Sequence, residues 1–182
     1  EVGIEKAHFV GISLGTILIR ELAEAYPERM QSMVLAGAVI RLTPRLHFLI
    51  GIANAFKKIV PFMWLYRLFA WILMPKKTHE TSRSLFVQEA KKIKQKEFLR
   101  WLTLTGDIAK YLIKINEKES DVPCLYIMGE EDYVFLEPVK RLVKQFRNTE
   151  LSVLENSGHV CNVDQAQKFN EVSLNFLNNC IS

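Results

Sequence analysis

The feature that most constrains the fold is a strand, a helix and a second strand within about thirty residues. Residues 7–10 form a short apolar run of strand formers, and residues 14–25 repeat apolar side chains three or four positions apart. Tyr26 and Pro27 predict the end of that helix, and residues 32–36 form a second apolar strand. Such a unit predicts two parallel strands joined by a right-handed crossover.

The same pattern returns near the end of the chain. Residues 124–128 and 151–154 are predicted strands, and a helix from about 137 to 146 lies between them. A last amphipathic helix is predicted from about 164 to 177. The 182 residues therefore predict one α/β domain. It holds about four parallel strands with flanking helices, which is half of a doubly wound sheet.

The segment between these two units has its own composition. Residues 41–118 contain 16 Lys and Arg against 5 acids, whereas the rest of the chain has 8 against 15. We therefore divide the chain into core residues 1–40, an inserted all-helical segment 41–118 and core residues 119–182. The predicted helices of the insertion are residues 45–58, 61–74, 81–94 and 97–115, the last interrupted at Gly106.

The helix at 61–74 is unusually apolar and lies between Lys57-Lys58 and Lys76-Lys77, a layout compatible with contact at an anionic membrane surface. We favour packing on the core or the lining of a substrate pocket, because Arg67 interrupts a run too short to span a bilayer. The candidate pocket walls are Trp64, Phe69, Trp71 and Met74. The basic surface carries no nucleic-acid motif, so nucleic-acid binding is not expected.

Three cysteines without C-x-x-C spacing predict neither a disulfide framework nor a zinc site, which favours a reducing, cytoplasmic setting. The chemistry is indicated instead by Gly11-Ile12-Ser13-Leu14-Gly15 at the junction of the first strand and helix. A G-x-S-x-G turn holds its serine in a strained conformation above the strand ends, and its glycines avoid collisions in the tight turn. The alternative is an ordinary turn with Ser13 as the N-cap.

A serine nucleophile needs a base. His159 follows the last strand, and the carboxyl ends of parallel strands meet at one edge of the sheet, so His159 can face Ser13. No catalytic role is expected for the other three histidines, His8, His47 and His79.

A carboxylate must hold the second nitrogen of the imidazole. Glu130, Glu131 and Asp132 directly follow the third strand, and we favour Asp132 because its short side chain lies where the loop can turn back toward His159. Asp107 lies in the insertion, and N-capping of the last helix is the simpler role for Asp164.

Ser13, Asp132 and His159, in this chain order, resemble the catalytic triad of the α/β-hydrolase superfamily, and the insertion resembles its helical cap. The resemblance extends through four further stretches: Val10-Gly-Ile-Ser-Leu-Gly-Thr16, Tyr26-Pro-Glu-Arg29 before Met33-Val-Leu35, Pro123-Cys-Leu-Tyr-Ile-Met-Gly-Glu-Glu-Asp132, and Gly158-His159.

The resemblance implies a serine hydrolase without metal or organic cofactor, acting on a small ester, thioester or related acyl compound with a hydrophobic group. Leu14 would donate its backbone N–H to the oxyanion, and the second donor would come from a loop that precedes Glu1. The expectation is therefore the C-terminal portion of a hydrolase. Carbon–carbon bond hydrolases and haloperoxidases of the fold use the same triad. A non-hydrolytic ligand-binding or signalling module and an inactive fragment are the alternatives.

The strand at residues 7–10 leaves one edge without a partner in the chain. An unpaired apolar edge invites pairing with a second copy. We therefore expect a homodimer or strand exchange through this edge.

Overall fold

A computed structural model of the chain describes residues 3–57, 59–116 and 118–180. Its single sheet contains β1 (Ala7–Ile12), β2 (Met30–Ala36), β3 (Cys124–Gly129) and β4 (Thr149–Leu154), paired in parallel in the order β1-β2-β3-β4. The predicted parallel sheet of four strands is confirmed. Each strand lies beside the next one in the sequence, so the carboxyl ends of all four lie along one edge.

Helices cover both faces of this sheet. In chain order they are α1 (Leu14–Ala25), α2 (Pro44–Phe56), α3 (Phe62–Leu73), α4 (Glu80–Ala90), α5 (Gln95–Ile115), α6 (Leu136–Val143), α7 (Cys161–Asp164) and α8 (Ala166–Asn179), with short 3₁₀ turns at Pro27–Arg29 and Lys77–His79.

The central strands are buried on both faces, which explains why their sequences are continuous apolar runs rather than alternating ones. Leu35 and Tyr126 pack in a cluster with Ile17 of α1 and Val139 of α6. On the opposite face, side chains of β2 and β3 pack against α8, in a cluster formed by Val34, Ala36, Leu125, Ile127, Phe169 and Phe176. The predicted layers of helix, sheet and helix are therefore present.

The helical insertion leaves the sheet after β2 and returns at β3, and it packs against the core. Ala70, Leu73 and Met74 belong to the same buried cluster as Leu35 and Tyr126. Polar contacts join the C-terminal end of the insertion to the core. Arg20 Nη2 donates to the carbonyl of Ile115 (3.1 Å), and Asn116 Nδ2 donates to the carbonyl of Ile40 (2.5 Å). No helix in the described ranges has the length and hydropathy needed to cross a bilayer.

Several predicted boundaries differ from the structure. The backbone of α5 is continuous through position 106, so the predicted interruption there is wrong. The predicted last helix is two helices separated at Gln165, because α7 ends at Asp164 and α8 begins at Ala166. Asp164 is therefore not the N-cap of the long helix. Lys58, the predicted end of the first helix of the insertion, lies outside the described residues.

Candidate active site

Ser13 lies between β1 and α1 in a backbone conformation that side chains rarely adopt. Its φ is +53° and its ψ is −118°. The conformation is held because the Ser13 N–H donates to the carbonyl of Ala36 (2.8 Å) and its own carbonyl accepts from the hydroxyl of Thr16 (2.6 Å). The hydroxyl of Ser13 makes no capping bond to α1, so the capping alternative does not describe it. Strain of this kind concentrates at functional sites.

The two glycines of the turn have different roles. A Cβ at Gly11 would overlap the terminal methyl of Ile19 and lie 3.1 Å from the carbonyl carbon and oxygen of Gly15, so a larger residue would force its neighbours to shift. A Cβ at Gly15 would meet none of the described atoms within 4 Å. The described residues therefore show a close contact at Gly11 and none at Gly15.

Ser13, His159 and Asp132 form a continuous chain of hydrogen bonds. His159 Nε2 lies 2.8 Å from Ser13 Oγ, and His159 Nδ1 lies 2.7 Å from Asp132 Oδ2. A carboxylate only accepts, so Nδ1 carries the proton and Nε2 presents a lone pair to the serine hydroxyl. His159 and Asp132 are 1% and 0% exposed. The arrangement therefore places a buried base directly against the serine.

Backbone amides hold the carboxylate of Asp132. Its other oxygen, Oδ1, accepts from the N–H groups of Val134 (3.2 Å) and Phe135 (3.0 Å). The Phe135 ring packs against the imidazole of His159, with the ring centroids 5.1 Å apart. These contacts leave Asp132 one orientation in which Oδ2 faces His159.

The loop that carries His159 is tightly constrained. The carboxylate of Asp164 accepts from the Gly158 N–H (2.8 Å), which is the observed role of Asp164 in place of the expected helix cap. A Cβ at Gly129 would overlap the Gly158 carbonyl, and one at Gly37, whose φ is +52°, would overlap the His159 carbonyl. The ends of β2 and β3 thus approach the histidine loop too closely for side chains at these positions.

The other candidate acids lie elsewhere. Glu130 is exposed. Both carboxylate oxygens of Glu131 face the helical insertion, where Oε1 accepts from Lys76 Nζ (2.5 Å) and Oε2 from His79 Nε2 (2.7 Å). The Lys76 hydrogen bond lowers the pKa of Glu131 most, burial opposes it, and the His79 hydrogen bond lowers the pKa further, so the net shift is downward. Of the three acids after β3, only Asp132 bonds to His159.

The hydrogen bonds of the remaining histidines go to partners other than Ser13. His8 bonds through Nδ1 to the hydroxyl of Ser32 (2.7 Å), and His47 through Nδ1 to the carbonyl of Thr43 (3.2 Å). His79 is fully buried. Nothing in the sequence near His79 signalled this, because its partner Glu131 is 52 residues away.

Burial disfavours the reactive thiolate form of two cysteines. Burial raises the pKa of Cys161 and of Cys124 to about 12. The Cys161 thiol donates to the carbonyl of Ile127 (3.6 Å). The three cysteines are unpaired. Within the described residues, no group of three or more His, Cys, Asp or Glu side chains has a geometry that could hold a metal ion.

The proposed pocket walls fall into two groups. Met74 is fully buried in the core and Phe69 is partly buried against it. Trp64 and Trp71 are instead 68% and 55% exposed, and the Arg83 guanidinium lies 4.1 Å from the centre of the Trp71 ring. Neither tryptophan is packed in the core.

Comparison with known proteins decides the family. Residues 1–166 match the family described as alpha/beta hydrolase fold. The chain belongs to this family. The chain is 28% identical over 192 residues to a 2-hydroxy-6-oxononadienedioate/2-hydroxy-6-oxononatrienedioate hydrolase of Paraburkholderia phymatum, and the match covers 97% of the chain and 64% of that relative.

Solved structures share the fold. An α/β hydrolase enzyme from a Medee basin deep-sea metagenome library has a TM-score of 0.76 at 25% identity, over 97% of this chain and 66% of that one. The bromoperoxidase from Bacillus anthracis has a TM-score of 0.75 at 20% identity, over 96% and 68%. The chain thus spans about two thirds of the length of these three relatives, two of which are named hydrolases.

Proposed function

We propose that this chain carries the catalytic centre of a serine hydrolase that acts on a small ester or related acyl compound with a hydrophobic group. The observation that supports this most directly is the relay of two hydrogen bonds, 2.8 Å from Ser13 Oγ to His159 Nε2 and 2.7 Å from His159 Nδ1 to Asp132 Oδ2. A serine hydroxyl needs such a base to become a nucleophile at neutral pH.

In the proposed reaction, Ser13 Oγ attacks the substrate carbonyl carbon while its proton passes to His159 Nε2. The tetrahedral intermediate collapses, and the leaving oxygen takes that proton from Nε2 as the ester bond breaks. A water molecule then attacks the acyl-serine, gives its proton to Nε2, and the acid leaves as Ser13 recovers the proton. Asp132 stays ionised throughout and stabilises the imidazolium form of His159.

The proposed oxyanion donor is the backbone N–H of Leu14. Leu14 is the first residue of α1, so its N–H has no acceptor within the helix and lies at the positive end of the helix dipole. A preorganised donor of this kind is worth about a hundredfold or more in rate.

The proposed hydrophobic substrate is supported by the surroundings of the serine. Ile12 and Leu14 flank Ser13 and are 38% and 39% exposed. Apolar side chains that line a site favour apolar groups of a ligand. In this proposal the helical segment 41–118 acts as a cap.

A second candidate is hydrolysis of a carbon–carbon bond by the same three side chains. It is favoured by the relative from Paraburkholderia phymatum, whose name gives a 2-hydroxy-6-oxo dienedioate as its substrate. The two candidates are separated by comparing the turnover of p-nitrophenyl esters with that of a 2-hydroxy-6-oxo dienoate. An ester hydrolase would turn over the esters faster, and a carbon–carbon bond hydrolase would turn over the dienoate faster.

The decisive experiment is labelling with a fluorophosphonate probe, which phosphonylates an activated serine. We expect the probe on the tryptic peptide that contains Ser13, no labelling of Ser13→Ala, and unchanged labelling of Ser84→Ala, a matched change at an exposed serine of α4. A correctly folded wild-type protein that stays unlabelled would support a binding module or an inactive fragment instead. Ester turnover by the 182-residue chain excludes both alternatives.

A further inference from the structure

A short segment of the insertion lies against the loops that carry Asp132 and His159. We define the strap as residues 74–83, which connect the end of α3 to the first turn of α4. Internal hydrogen bonds stiffen it, since Arg83 Nη1 donates to the carbonyls of Met74 (2.6 Å) and Lys76 (3.1 Å), and the Ser82 hydroxyl to that of His79 (3.1 Å). Met74 and His79 are both fully buried. The strap is therefore a rigid part of the molecule rather than a loose connection.

The strap forms hydrogen bonds to the loop after β3 through the side chain of Glu131. Lys76 and His79 occupy one carboxylate oxygen each, at 2.5 and 2.7 Å. Glu131 is the residue before Asp132, and its backbone N–H donates to the carbonyl of Ser157 (2.9 Å) in the histidine loop. Glu131 therefore joins the strap, the loop after β3 that carries Asp132, and the loop after β4 that carries His159.

The His79 ring also contacts the histidine loop directly. A Cβ at Gly158 would lie 2.9 Å from His79 Cε1, 3.0 Å from Nδ1 and 3.2 Å from Nε2, so the ring rests on the bare backbone of Gly158. Gly158 immediately precedes His159 and is held from the other side by Asp164. The buried ring of His79 thus fills the space beside the backbone of Gly158, and this backbone sets the position of His159, the proposed base.

We propose that His79 and Glu131 are positioning residues that hold the loops of Asp132 and His159 in register. Their side chains bond to each other and to Lys76 rather than to Ser13, so their effect passes through the two loops. The proposal rests on the proposed function for the roles of Asp132 and His159, but the contacts themselves do not depend on it.

The physical reason is the short range of proton transfer. A displacement of reacting groups by about 1 Å costs on the order of a hundredfold in rate. Glu131 is 8% exposed, and removal of its charge leaves two donors without their carboxylate partner. A glutamine at this position has one acceptor oxygen for the two donors, so the contact that fixes the loops against the insertion is weakened. An apolar side chain at position 79 would fill the space but would not bind Glu131.

The test compares Glu131→Gln and His79→Leu with the matched control Glu89→Gln on α4, which removes a carboxylate from an exposed pair with Lys92. The first readout is the rate constant for fluorophosphonate labelling of Ser13. The second is the ¹H–¹⁵N spectrum of the histidine rings, which is simple because the chain has 4 histidines. Circular dichroism and thermal unfolding identify variants that fold.

We expect both variants to fold, to label at least tenfold more slowly and to broaden or shift the Nδ1–H signal of His159. The control should stay within twofold of the wild type with an unchanged spectrum. Folded variants that label within twofold of the wild type and keep the His159 signal overturn the proposal.

The two readouts also separate this proposal from the proposed function. If the wild-type protein is not labelled, the proposed function fails, and the His159 ring signals alone decide whether the strap positions the loops. If Glu131→Gln and His79→Leu both fail to fold, Lys76→Met decides in the same readouts. Its side chain is 47% exposed, and we expect about a threefold loss of labelling rate, whereas no change in either readout counts against the proposal.

Discussion

The substitution Asp132→Asn tests the hydrogen-bond relay with little change of shape. The asparagine oxygen can still accept from the N–H groups of Val134 and Phe135. Its amide group then points a donor at His159 Nδ1, which must become an acceptor and give up its proton. His159 Nε2 consequently carries the proton and faces Ser13 Oγ as a donor, so the hydroxyl proton of Ser13 has no acceptor.

The size of each effect follows from these contacts. The wrong tautomer of a catalytic histidine lowers turnover by about 10⁴-fold. Stability should fall by only about 1.5–3 kcal/mol, the contribution of one hydrogen bond to a charged group. Asp132→Ala, by contrast, removes the acceptor of three hydrogen bonds in a fully buried position and should destabilise the fold substantially more.

The assay is the rate of fluorophosphonate labelling beside urea unfolding, with Glu130→Gln as the control. Glu130 is an acid of the same loop, but it is exposed, so its neutralisation should leave both quantities nearly unchanged. If folded Asp132→Asn protein labels within tenfold of the wild type, the reasoning from the tautomer of His159 is refuted.

Three further predictions follow from contacts of the strap and the sheet. Gly158→Ala should lower the free energy of unfolding by about 1–3 kcal/mol, because its Cβ would lie 2.9 Å from His79 Cε1; an unchanged urea midpoint contradicts this. Hydrogen bonding by Lys76 lowers the pKa of Glu131 below its ordinary 4.5, so the carboxylate stabilises the fold above that pH and the stabilisation is lost as the pH falls through the lowered value. The melting temperature of Glu131→Gln should therefore fall less steeply with acidification than that of the wild type, and parallel plots of melting temperature against pH would contradict this. The exposed edge of β1 should give a dimer in light scattering, whereas a monodisperse monomer with protected amides at residues 7–10 would rule this out.

The parts of the fold that depend on local pattern were predictable. Each strand is a run of β-formers that ends near a glycine or a turn, and the edge at which parallel strands end brings Ser13, Asp132 and His159 into one place. The end of α1 and the start of α2 lie close to their predicted positions because Pro27 and Pro44 mark boundaries that local sequence controls.

The parts that depend on tertiary contacts were not predictable. Asp164 precedes a helix in the sequence, which favours capping, yet its carboxylate turns back to the Gly158 N–H. His79 is indistinguishable from a surface residue of the insertion until the strap folds onto Glu131. Gly106 weakens a helix locally, but α5 continues through it, as tertiary context often overrides propensity.

The hydrogen bond between Ser13 and His159 joins residues 146 positions apart. Closing a flexible chain segment of that length costs about 4 kcal/mol of entropy, and only the pairing of β1, β2, β3 and β4 in turn shortens the effective loop. Non-local contacts of this kind form late in folding. Fluorophosphonate labelling of Ser13 during refolding should therefore appear after the recovery of helix content. The time course of labelling would then report the final step of folding.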